Sequence, residues 1–461
     1  MALAGEVARK GCNVIVVGVN KLHKIITFVF AVAFAPLQAQ VFTTKPLVPE
    51  IKTLQVMVND DYKALPVIDS KLGNTVEISF DYLSSEQPWL VYRLFHCNAD
   101  WQADKLSEME LAEGFFPVRI TDVEPSFNTL VPYFHHRIIL PNDEVKLTVS
   151  GNYLVEVFDE TDEEKPLATA RFMVSEQTAL VKGLVSANTD IDFNATHQQL
   201  TLDVQCDKNK LPYLDAAKDL VIKVRQNRCD DTLREITAPT RTEQSKAMYE
   251  HEAKLVFDAG NTYRRFEFTD VRYATLGIDN VRYKAPYYIV NLQQSNLRAT
   301  GRYLHDKDQH GHFIVNALHV DDANTEAEYF KARFTLDAPA MKHNEVYLEG
   351  DFTYGQKTPE FRMDYDAETG LFVKEVLLKQ GLYNYKYSVG ESVPAKDNNA
   401  LTKENNVPTK DSNALVNKYN VSAIEGNFYE TANEYDVCVY YRPNGARYDR
   451  LIGAAIIGTK E

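Results

Sequence analysis

Trp89-Leu90-Val91-Tyr92-Arg93-Leu94-Phe95-His96-Cys97-Asn98-Ala99-Asp100-Trp101 is the stretch whose reading decides the fold. Its first half is rich in aromatic and branched residues, which suit a pleated, half-buried surface, and it reads as a strand. Its second half leaves the sheet through the polar turn Asn98-Ala99-Asp100. Both tryptophans of the chain, Trp89 and Trp101, flank that strand. Downstream lies an acidic segment, Leu106-Ser107-Glu108-Met109-Glu110-Leu111-Ala112-Glu113, closing in Gly114-Phe115-Phe116.

Working outward, the same period-two pattern recurs. Leu54, Val56 and Val58 alternate with Thr53, Gln55 and Met57, and Val76, Ile78, Phe80 and Tyr82 alternate with Glu77, Ser79 and Asp81. Alternation over that length marks half-buried strands. Val145, Leu147 and Val149 make another, and Ser150-Gly151-Asn152 leads into Tyr153 to Phe158 as a hairpin signal. Further on, Leu200 to Cys206 and Leu220 to Val224 alternate, with Lys223 and Arg225 placed outward. The run Glu243 to Phe257 fits one or two helical turns. Tyr329 to Leu336, Val346 to Phe352, Gly381 to Tyr387 and Leu451 to Ile457 complete the set, and 391–413 reads as a loop. Short strands with frequent turns imply an all-β chain of tandem β-sandwiches, immunoglobulin-like in pattern. The boundaries expected are 1–39 for a targeting segment, 40–176, 177–320 and 321–461 for three sandwiches.

Composition agrees. Of the residues 44% are apolar, enough for sizeable cores, and 26 Tyr and 23 Phe favour strands. The net charge of -15 argues against a nucleic-acid surface, which needs clustered Lys and Arg. Lys21 and Lys24 precede a short apolar run, Ile25 to Ala35, and Leu37-Gln38-Ala39 ends it in a small residue. That is the pattern of a signal peptide cleaved after Ala39, with residues 1–20 an over-long start before the true initiator. Its removal takes a charge of +3 with it. The product is expected to be exported, with no transmembrane segment after cleavage.

The residues Tyr92-Arg93, His96-Cys97, Trp101, the acidic run and Gly114-Phe115 resemble the signature of the type IX secretion system plug protein family. A second element of that family resembles Gly260-Asn261-Thr262-Tyr263-Arg264-Arg265-Phe266, with Thr262 where the family has Glu. Asp308-Gln309-His310-Gly311-His312-Phe313 resembles a third. The last sandwich, with its Gly350-Asp351-Phe352 turn and Tyr383, Tyr385 and Tyr387, resembles early-set immunoglobulin-like modules found beside glycan-processing enzymes. The plug resemblance implies a periplasmic, non-enzymatic protein peripheral to the outer membrane. Its implied partner is the outer-membrane type IX translocon β-barrel, whose periplasmic mouth it closes when no substrate is inside. Trp101, Phe115 and Phe116 are the candidate contact residues. The alternative is a periplasmic or surface glycan-binding protein.

No chemistry-bearing motif competes. There is no nucleophile elbow, paired-histidine zinc motif or phosphate loop. Cys97 is a candidate nucleophile only with a paired base, and His96, its chain neighbour, points to the opposite face of a strand. Cys206 and Cys438 alternate with apolar residues as core positions. His310 and His312 lack further ligands, and the Gly311 between them suggests a tight turn instead of a zinc site. The expectation is therefore no catalytic residue, no metal and no cofactor.

Overall fold

A computed structural model describes residues 40–69, 71–243, 245–391 and 418–459. The expected signal segment 1–39 and nearly all of the expected loop 391–413 lie outside the described residues. The chain is mostly β-strand, arranged in several sheets with few short helical turns, as the alternation implied. No helix among the described residues is long and apolar enough to cross a membrane.

The first sandwich pairs two sheets over one core. One sheet runs in the order Lys45–Pro46, Ala168–Ser175, Gly151–Asp159, Leu90–Cys97, Val118–Arg119; the other runs Ile51–Val58, Val76–Tyr82, Phe134–Leu140, Asp122–Pro125. Val76, Ile78 and Phe80 point inward against Leu94, Tyr153 and Phe172, all fully buried. The signature strand Leu90–Cys97 is central, paired with Gly151–Asp159 on one side and Val118–Arg119 on the other.

The hairpin expected around Ser150-Gly151-Asn152 does not form. Lys146–Leu147 pairs with Ala112–Glu113, and Gly151 opens the long strand beside Leu90–Cys97. Glycine is required there by close approach: at φ +130° a Cβ would meet the His96 ring, and at 2.8 Å the carbonyl oxygen of Asp449.

The second sandwich joins residues distant in the chain. One sheet orders Ala179–Ser186, His197–Cys206, Lys246–Tyr249 and Arg241–Glu243; the other orders Arg234–Ile236, Leu220–Gln226, Glu434–Tyr441 and Arg450–Gly458. Strands Glu434–Tyr441 and Arg450–Gly458, which chain order assigns to the last sandwich, thus join this sheet, the first beside Leu220–Gln226 and the second at its edge. Tyr435, Val437 and Val439 fill the core with Leu202, Val204 and Ile222. Alternation identifies a strand but not its partner, and neighbours along the chain pair only about two-thirds of the time. The run Glu243 to Phe257 resolves into strand Lys246–Tyr249, a 3₁₀ turn Ala253–Leu255 and strand Val256–Asp258.

Between the two halves of the second sandwich the chain builds a third. Strands Ile278–Lys284, Tyr287–Leu292, Tyr329–Asp337, Leu371–Lys379 and Asp364–Asp366 face a sheet organised on the long strand Gly381–Glu391. Tyr383, Tyr385 and Tyr387 are buried in its core with Phe266 and Phe334.

Parts of the outer sheet faces are also covered, where one sandwich docks on another. Lys223 and Arg225, expected to point to solvent, instead point from the second sandwich toward its neighbours. Lys223 is 7% exposed and its Nζ lies 2.5 Å from Asp100 of the first sandwich. Asp81, on the outer face of the strand Val76–Tyr82, is fully buried against the third sandwich. There it receives Lys379 Nζ at 2.6 Å, Tyr329 Oη at 2.7 Å and His135 Nδ1 at 2.7 Å.

Candidate functional site

The signature residues of the first sandwich span the strand Leu90–Cys97 and the loop that follows it. His96 Nε2 lies 3.1 Å from the Ser150 carbonyl oxygen and its Nδ1 bonds the Asp104 carboxyl. Its ring lies edge-on to Tyr153 and Tyr448. Asn98 Oδ1 accepts from the backbone N–H groups of Asp100 and Gln102, and the loop docks on the C-terminal hairpin through Ala99 N–H to Asp449 Oδ2 at 2.8 Å. Cys97 is fully buried and burial pushes its thiol up to about 12, so the thiolate is scarce at neutral pH. Arg93 pairs with Glu163 and Tyr92 lies in the core.

The three residues proposed for partner contact separate in space. Phe115 is 95% exposed, Phe116 packs on the first core, and Trp101 packs between the first and second sandwiches with Arg171 stacked 4.7 Å from its ring centre. Gly114 leaves no room for a side chain, since a Cβ would sit 2.7 Å from the Glu144 carbonyl oxygen. Met109, close by in sequence, is 90% exposed.

The second signature forms the crossover from the second sandwich to the third. Gly260 N–H donates to Asn427 Oδ1, Asn261 Nδ2 donates to the Glu425 carbonyl, and Arg264 Nε donates to the buried Glu425 carboxylate at 3.1 Å. Tyr263 N–H donates to Asp308 Oδ2 at 2.6 Å, and Phe266 is core. Gly311 is pressed against the Tyr263 ring, where a Cβ would sit 3.0 Å away. The second and third signatures therefore touch.

These segments converge on one cavity. It measures about 380 Å³, is partly open to solvent, and takes a wall from each sandwich. Trp101, Tyr263, His312, Phe313 and Asp351 all line it, so four stretches that the sequence showed only as separate motifs meet there. Tyr354 lines it too, and its hydroxyl accepts from Leu54 N–H at 2.9 Å.

The wall is densely charged, with five cations (Arg171, Arg225, Arg228, Lys357, Lys386) and four carboxylates (Asp230, Asp231, Glu349, Asp351). Asp230 receives Arg171 at 2.6 Å and Arg225 at 2.7 Å. Burial pushes its carboxyl up, but the two guanidinium groups outweigh burial and hold it at about 2. Glu349 is likewise held at about 2 by Lys357 and Lys386 against its burial. His312 Nδ1 bonds the Asp351 carboxyl. Asp231 has no ion pair among the described residues, and burial pushes its carboxyl up. None of these cavity cations or carboxylates was singled out from the sequence as a site residue. The one signal was Lys223 and Arg225 alternating along a strand, read as solvent-facing when that face is in fact covered. Among the described residues no group of three or more His, Cys, Asp or Glu is placed to hold a metal ion.

With the geometry in hand, the comparisons are specific. Residues 51–176 match the family described as type 9 secretion system plug protein 1st domain. A crystal structure of a hypothetical protein from Parabacteroides merdae is similar over 91% of this chain and 100% of that one, at 36% identity and a TM-score of 0.83. An alkylpurine DNA glycosylase from Pseudomonas fluorescens aligns over 27% of this chain and 30% of that one at 15% identity, with a TM-score of 0.14, which carries no argument. Among curated proteins none matches.

Proposed function

The chain belongs to the type 9 secretion system plug protein family, and from that premise we propose that it is a non-enzymatic plug of the secretion pore. It binds the periplasmic mouth of the outer-membrane translocon β-barrel and closes it when no substrate occupies the lumen. A barrel wide enough to export folded proteins is an open aqueous hole, and closing it needs shape and a broad contact more than chemistry. The observation that carries the reading is the match of residues 51–176 to the plug family's first domain. It is supported by the way the three sandwiches are tied to one another through buried pairs such as Asp81 with Lys379. Such a body resists deformation because one sandwich is close-packed on another at these junctions.

Contact with the barrel falls in this reading to Phe115 and Met109, both almost wholly exposed and close in sequence to the signature loop. Large exposed apolar side chains of this kind serve as anchors at interfaces. Phe116 packs on the first core and Trp101 stacks with Arg171 at the junction with the second sandwich, so neither joins Phe115 and Met109 at the contact. The protein acts in the periplasm, peripheral to the outer membrane, and no catalytic residue is assigned. The test is envelope permeability to a large antibiotic. Deleting the gene is expected to sensitise cells, with resistance restored by the wild-type chain and not by Phe115→Asp. Unchanged permeability in the deletion strain overturns the reading.

A further inference from the structure

We propose that the junction cavity is a binding site for a small carboxylate ligand, the free C-terminus of a short peptide, anchored on Arg228. The cavity's volume, about 380 Å³, lies within the range of about 300–1,000 Å³ typical of small-molecule sites. Its wall carries one more cation than carboxylate, although the whole chain is at -15. Four of its five cations are already paired with Asp230 or Glu349. Arg228 is the exception, with no carboxylate in ion-pair distance among the described residues. Its two Nη atoms donate to the carbonyl oxygens of Tyr62 and Lys63, while its Nε is buried with no partner among the described residues. A guanidinium carries five N–H donors in a fixed fork suited to a carboxylate. A buried donor without an acceptor is unfavourable, and a ligand carboxylate supplies the acceptor.

The rest of the wall fits the remainder of a peptide. Tyr62, Trp101, Tyr263 and Tyr354 supply aromatic surface for an apolar side chain. Asp231, also without an ion-pair partner among the described residues, is an acceptor for an amino or amide group. The site does not depend on the plug reading, since it follows from the cavity alone.

The test is calorimetry on the chain from Gln40 onward, with the tripeptide Ala-Phe-Ala as probe, its C-terminally amidated form, and glucuronate as a carboxylate of another origin. The free tripeptide is expected to bind, amidation to abolish binding, Arg228→Gln to weaken it about tenfold or more, and glucuronate to bind more weakly than the peptide. The amidation arm needs no variant, so it decides even where Arg228→Gln fails to fold. Absence of tripeptide binding up to about 10 mM, equal binding of the amidated form, or tighter binding of glucuronate overturns the proposal.

Discussion

Asp81 of the first sandwich and Lys379 of the third face each other at 2.6 Å with side chains 0% and 1% exposed. The pair is closed on all sides: Tyr329 and His135 donate to the same carboxylate, and Lys379 lies 4.2 Å from the Tyr133 ring centre and also donates to the Asn324 carbonyl. Burial pushes the Asp81 carboxyl up, but Lys379 and His135 outweigh burial and hold it below its ordinary value. Breaking one side of such a pair leaves a charge buried without its counter-ion. Asp81→Asn is therefore expected to destabilise the chain by about 3–5 kcal/mol, and Asp81→Leu with Lys379→Met to recover most of the loss. Denaturant unfolding of the two variants checks this; equal losses in both would show that the ion pair itself carries the stability.

Acid is expected to loosen the junction before it unfolds the cores. Glu349, ordinarily at 4.5, is held at about 2 by Lys357 and Lys386. A depressed carboxyl gives stability that is complete above its unfolded value and is lost as pH falls through the folded one. The melting temperature of the wild type should then fall between about pH 4.5 and 2, with a shallower slope in Glu349→Gln. Parallel slopes would remove Glu349 from the account.

The cysteines are expected to divide by access. Cys97 and Cys438 are buried and pushed up to about 12, Cys206 to about 11, whereas Cys229 is partly exposed, although burial raises its thiol too. At about pH 8 a disulfide reagent should titrate Cys229 alone in the native chain from Gln40, and the other three only after unfolding. Prompt reaction of Cys97 would restore it as a candidate nucleophile.

Removing residues 434–459 takes away two strands of the second sandwich and exposes Leu220, Ile222 and Val224. Hydrogen exchange is expected to show loss of protection in 179–258 with the first sandwich largely retained. Loss confined to the third sandwich would contradict the pairing.

Much of this fold was legible in local alternation. Val76, Ile78 and Phe80 announce an inward face, and Tyr383, Tyr385 and Tyr387 a buried stripe, because side chains on a strand alternate sides. What lies beyond that rule was not legible. Asp81 and Lys223 occupy the faces that alternation assigns to water, and only the docking of one sandwich on another buries them. Tyr435, Val437 and Val439 signal a strand, yet their partner Leu220–Gln226 lies some two hundred residues upstream. The cavity shares that origin. Arg228 and Asp231 belong to no motif of the sequence, and their surroundings are assembled from separate stretches of chain.

Recovery of the translocon barrel with the plug tests the central claim most directly. Mild crosslinking of intact cells, followed by affinity purification of the tagged chain, should co-purify one very large outer-membrane β-barrel, with a reduced yield from Phe115→Asp. Failure to recover any barrel from wild-type cells, with the chain itself recovered intact, would contradict the account.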